Sequence, residues 1–221
     1  MMSQQSTFNN RLIINEVSQR PGIPDRQNAI EILTKTMNAI GGFCRDTLQK
    51  GIGINVPGFG YGFYVNQFDK KQNKGLRELH FAFDEKFTKP LNLKVPIDQQ
   101  LTTYQAASMP LGDKHGPIHR LNFVVIGQSA GYDYQDCMEG FQLFMAEFSR
   151  IVRTGMDGTV DFSFGKLSIK NYSAKFTFDS ALVQQIQSAG VLENIKTSQV
   201  LTGGSTFRPC DHFKPEQIIY K

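Results

Sequence analysis

The stretch KGIGINVPGFGYGFYVNQF, residues 50–68, sets Gly51, Gly53, Gly58, Gly60 and Gly62 among mostly apolar neighbours. Glycine backbone can approach a pyrophosphate closely and offer it N–H groups, which invites a nucleotide reading. A phosphate loop, however, follows a strand and opens a helix, so that the helix N-terminus faces the anion. Here the order is inverted. Upstream, Ile30, Leu33, Met37, Ile40, Cys44 and Leu48 repeat at three-and-four spacing, which predicts an amphipathic helix over residues 29–49. Downstream, Ile52, Ile54 and Val56 alternate, Pro57-Gly58 interrupts, and Phe59, Tyr61, Phe63 and Val65 resume period two. The glycines therefore punctuate a helix, turn, strand, kink, strand sequence.

The chain has 221 residues, is 40% hydrophobic and can hold one medium or two small domains around a packed core. Its apolar runs fall well short of the ~20 residues that span a bilayer, and its start lacks the apolar core of a secretory leader. Cys44, Cys137 and Cys210 are an odd count without CxxC spacing, which predicts reduced thiols. The net charge is +4. One basic cluster stands out, KKQNKGLR, with Lys70, Lys71, Lys74 and Arg77; a solvated hairpin tip explains it as well as a nucleic-acid contact does.

The second half repeats the first. A shorter apolar segment precedes each long helix, residues 8–17 and 122–130. In CMEGFQLFMAEFSRIV the stripe Cys137, Phe141, Phe144, Phe148 and Ile151 has helical spacing, and Val160, Phe162 and Phe164 then alternate. Phe59-Gly60 is followed by FAFD at residues 81–84, and Phe164-Gly165 by FTFD at residues 176–179. Each half reads as helix, helix and three strands with a Phe-Gly kink. This gives a first unit over residues 1–94, a breaker-rich linker at 95–120, a second unit at 121–179, and a further helix with an extended tail at 180–221.

The run KGIGINVPGFGYGF resembles the helix-to-sheet signature of the bacterial HU and integration-host-factor proteins, in which a lysine-glycine turn leads through an apolar strand into Pro-Gly-Phe-Gly. Lys50, Gly51, Val56, Pro57, Gly58, Phe59, Gly60 and Phe63 carry the likeness, with Phe164 and Gly165 at the matching place in the second half. The tandem arrangement is similar to the eukaryotic family typified by coiled-coil domain-containing protein 81, which carries paired HU-like domains and is associated with centrosomes and cilia, including the doublet microtubules of the axoneme. The resemblance implies an α+β fold of two HU/IHF-like units, each two helices and a three-stranded antiparallel sheet, joined as an intramolecular pseudo-dimer. It further implies a non-enzymatic structural protein of the ciliary axoneme, with tubulin or other axonemal proteins as partners, no cofactor or metal, and no membrane partner. A single HU-type unit buries too little core to stand alone, so a covalent tandem is physically reasonable.

HU-like proteins bend DNA with two long basic β-arms, each tipped by an intercalating proline. Here the segment from Phe59 to Phe81 leaves room for one hairpin, without a proline between Pro57 and Pro90, and that from Phe164 to Phe176 for little more than a turn at Lys170-Asn171. One arm builds no cradle, so nucleic acid is not the expected partner; DNA binding through Lys70, Lys71, Lys74 and Arg77 is the first alternative. The second is a serine hydrolase, because GQSAG at residues 127–131 spells a nucleophile elbow around Ser129, with FVVI as its strand and His212 as the sole later histidine. Against it, Asn122 and Gly131 read as the caps of a short helix and Asp133 as the cap of the next. Cys210 with His212 makes at most half of a structural zinc site, and His115 and His119 flank a Gly-Pro in the linker.

Overall fold

In the computed structural model, which describes residues 7–69, 74–100 and 117–188, every expected helix within that range is present. Helices α1 (Asn10–Ser18) and α2 (Arg26–Gln49) open the first half, and α4 (Phe123–Ala130) and α5 (Tyr134–Arg153) open the second. Each begins at a side chain that accepts from an otherwise orphaned backbone N–H: Asn9 from Leu12, Asp25 from Asn28, Asn122 from Val124 and Val125, and Asp133 from Gln135. The stripes read from the sequence face inward. Leu33, Met37, Ile40, Cys44 and Leu48 are buried on α2, as are Cys137, Phe141, Phe144, Phe148 and Ile151 on α5, and the two long helices pack against each other.

Strands β1 (Gly53–Val56), β2 (Gly60–Asp69) and β3 (Lys74–Phe83) form an antiparallel meander, followed by the single turn α3 (Glu85–Thr88). This sheet has a fourth strand that corrects the expectation of three. Residues 118–120, read as linker, form β4 (Ile118–Arg120), parallel to β1. The second sheet is three-stranded and antiparallel, with β5 (Gly158–Asp161), β6 (Gly165–Lys170) and β7 (Ser173–Phe178), and leads into α6 (Ser180–Ser188). Its tight loop is Asn171-Tyr172, both with positive φ, one residue beyond the expected Lys170-Asn171.

Each half adds extended backbone to the sheet of the other, a single bridge in one case and a short strand in the other. Phe8, just before α1, pairs in parallel with Gly158 of β5: its N–H donates to the Asp157 carbonyl at 3.0 Å and its carbonyl accepts from Thr159 at 3.0 Å. Just before α4, β4 pairs with β1 in the same way, Gly53 donating to the Pro117 carbonyl at 2.8 Å and Leu121 to the Asn55 carbonyl at 3.3 Å. Glycine is required where these segments pair. A Cβ on Gly158 would lie 2.3 Å from the Phe8 carbonyl oxygen, and one on Gly53 would lie 2.9 Å from that of Gly62 and 3.0 Å from Ile118.

One hydrophobic core runs through both halves, from Phe8 and Ile13 to Leu182 and Ile186. A second, small cluster of Phe63 and Ala82 with Tyr61, Val65 and Ile118 covers the other face of the first sheet. The stripe Phe59, Tyr61, Phe63, Val65 is thus split. Phe59 belongs to the turn that precedes β2 and lies in the main core, while Tyr61, Phe63 and Val65 on the strand face away from it.

Candidate functional site

The Phe-Gly pairs sit where the two sheets meet. Val56 accepts from Phe59 N–H at 3.0 Å across Pro57-Gly58, and Gly58 takes φ +71° at the turn position that favours glycine. This turn aims Phe59 into the core, where it is fully buried, and Phe164 is equally buried in the second half. The glycine after each admits an aromatic ring. A Cβ on Gly60 would lie 2.7 Å from Phe81, and one on Gly165 would lie 2.4 Å from Phe176. The Phe59 carbonyl accepts from Asp84 N–H and the Phe164 carbonyl from Asp179 N–H, both at 3.0 Å, and each aspartate then caps the helix that follows. The corresponding rings Phe81 and Phe176 stack on each other at 3.9 Å, and Phe59 lies 4.8 Å from Phe162. The motif therefore builds the joint between the halves from aromatic contacts of both.

The candidate basic hairpin is divided by what the structure describes. Lys70 and Lys71 lie outside the described residues. Lys74 and Arg77 belong to β3, in register with Asp69 and Asn66 of β2. The arms are unequal, since β2 and β3 each run ten residues where β6 and β7 run six.

Ser129 occupies the last turn of α4, and the FVVI segment expected as a strand is part of that helix. Gly131 ends the helix with φ +76°, so the strand-to-helix elbow that presents a nucleophile is absent at this serine. His115, Cys210 and His212 lie outside the described residues, and His119 is on β4. Among the described residues no cluster of three or more His, Cys, Asp or Glu is placed to hold a metal, and no helix is long and apolar enough to cross a membrane. Burial pushes the Cys44 thiol well above its ordinary value, which keeps it protonated and unreactive.

Three polar ties across the halves were not foreseen. Glu147 of α5, with its side chain 3% exposed, accepts from Arg20 at 2.5 Å and from Arg150 at 2.6 Å, and Arg150 also reaches Glu16 of α1 at 3.0 Å. A charge set beside Phe148 on an apolar stripe is the sequence signal for it. Arg45 of α2 donates to Asp179 at 2.9 Å and to the Ser163 carbonyl at 2.5 Å. The Gln99 side chain bonds both the N–H and the carbonyl of Phe176, covering the outer edge of β7 together with Lys94, which pairs with Ser173.

Burial raises the Glu147 pKa, but its hydrogen bonds from Arg150 and Arg20 outweigh this, and the carboxyl titrates below its ordinary value. A depressed carboxylate stabilises the fold above the unfolded value, about 4.3, and that contribution is lost as pH falls through the lower folded value. Glu147→Gln is expected to cost about 1–3 kcal/mol at neutral pH. Denaturant midpoints of wild type and variant should converge below pH 4; a constant gap across that range would refute the assignment.

Residues 117–190 match the family model described as CCDC81 eukaryotic HU domain 2. No curated protein matches the chain.

Proposed function

We propose, from the match of residues 117–190 to the CCDC81 eukaryotic HU domain 2 model, that the chain is a non-enzymatic structural protein of the ciliary axoneme in which two HU-like units form an intramolecular pseudo-dimer. The observation that supports the pseudo-dimer is the reciprocal backbone pairing, the Phe8 bridge on the second sheet and β4 on the first. It gives the two halves equivalent roles, as in a two-fold dimer, although residues 117–190 alone match the family model. The units would extend over residues 1–94 and 121–179, with residues 180–221 following. Such a pair presents unlike faces, which suits attachment to a polar lattice of tubulin or its associated proteins on a doublet microtubule.

A tagged copy expressed in a ciliated cell tests the location. Retention in the axonemal doublet fraction after detergent and high-salt extraction is the expected result, and a nuclear or fully extracted signal would overturn it. The β2–β3 hairpin favours one second reading, duplex-DNA binding through its basic residues. That reading predicts a gel shift whose affinity falls steeply with added salt, and no shift at low salt would remove it. The unequal arms weigh against it, because two long arms are needed to clasp a bent duplex.

A further inference from the structure

At the corner where the α1–α2 connection crosses α5, a hollow of about 340 Å³ opens to the surface. Its apolar lining includes the buried Val17 and Leu33 and the partly buried Ile23, Ala29, Ile32 and Leu143. Every charged residue lining it is acidic: Asp25, Asp136 and Glu139. All three are exposed; Asp25 accepts from the Asn28 N–H as the N-cap of α2, Glu139 accepts from the Gln135 amide, Asp136 lies in the first turn of α5, and among the described residues no Lys or Arg pairs with any of them. This runs against the chain as a whole, which is net positive at +4.

The corner formed by the other pair of helices shows what fills such a space. There the short connection at residues 131–133 turns Tyr132 toward Glu31 and Lys35 of α2, partly buried against the core. The Lys35 ammonium lies 5.3 Å from the centre of its ring, and Lys35 pairs with Glu31 at 2.7 Å. An aromatic ring, a cation over it and a carboxylate beside the cation thus meet at that corner. The open corner has the apolar lining and the carboxylates but lacks the ring and the cation.

We propose that this hollow docks a basic and apolar segment of a partner protein, one aromatic or aliphatic side chain flanked by Lys or Arg, with Asp25, Asp136 and Glu139 reading the flanking charges. The apolar side chain would take the place that Tyr132 holds at the other corner, and the cations the place of Lys35. The surface exists whichever lattice the chain joins, so failure of axonemal retention leaves this proposal standing.

The test is a pair of capped peptides, Lys-Arg-Leu-Phe-Arg-Lys and Glu-Glu-Leu-Phe-Glu-Glu, titrated into the isotope-labelled full chain and followed by NMR. The basic peptide is expected to shift the resonances of Ile23, Ala29, Ile32 and Leu143 saturably, and the acidic one to leave them in place. The variant carrying Asp136→Lys and Glu139→Lys alters exposed residues and should keep a native spectrum while binding the basic peptide about tenfold more weakly or worse. Equal effects of the two peptides, shifts centred elsewhere, no saturable binding, or an affinity unchanged in the double variant would overturn the proposal. So would self-association abolished by the double variant, which would assign the hollow to a second copy of this chain.

Discussion

Phe59→Ala lowers the unfolding free energy by about 3–5 kcal/mol, and Phe164→Ala lowers it by a similar amount, each in a single transition that takes both sheets with it. The size follows from burial. Both rings are fully enclosed, and Phe59 touches rings of both halves: Phe81, Phe83 and Phe87 in its own, and Phe162 and Phe176 in the other. Truncation therefore empties a space shared between the sheets, and neither sheet can close it by moving alone. Urea denaturation followed by circular dichroism checks this. A loss below 1 kcal/mol, or a first transition leaving one sheet intact, would show that the joint is not shared.

The second large effect is expected at Gly158. Its replacement by alanine places a methyl group 2.3 Å from the Phe8 carbonyl oxygen and 2.5 Å from the Phe8 ring, so the bridging Phe8 must withdraw. The loss comprises the two backbone hydrogen bonds of Phe8 and part of the burial of its ring, which lies edge-on to Phe148 at 5.7 Å. About 3 kcal/mol is expected, at the upper end of over-packing costs. Gly42→Ala is the control, because its Cβ would meet nothing within 4 Å and alanine is the better helix former. Stability that is unchanged in Gly158→Ala would mean that Phe8 is not held by the second sheet.

Much of this was legible in the sequence where periodicity is long. The stripes on α2 and α5 extend over several turns, so one spacing error does not hide them, and the repeated Phe-Gly followed by Phe-x-Phe-Asp marks where each sheet turns back. The backbone pairings between the halves were not legible. Ile118–Arg120 is three residues and Phe8 is a single bridge, too short for an alternation to appear, and their partners are fixed by tertiary geometry. The alternation through Tyr61, Phe63 and Val65 was misleading for a related reason, since Phe59, read as its first member, belongs to the turn before β2 and not to the strand. At the level of sites, the hairpin lysines were visible as composition alone. The acidic hollow brings together residues 23–32 and 136–143, and no linear reading joins them.

Whether the two halves are one cooperative body is most directly measured by native-state hydrogen exchange on the wild type and Phe59→Ala. The slowest amides of the first sheet, at Ile54 and Tyr64, and those of the second, at Leu167 and Ile169, are expected to exchange with the same opening free energy. In Phe59→Ala both sets should drop by the same amount. Two separate opening energies in the wild type, with the variant lowering only the first, would contradict the pseudo-dimer and leave two independent domains that share a chain.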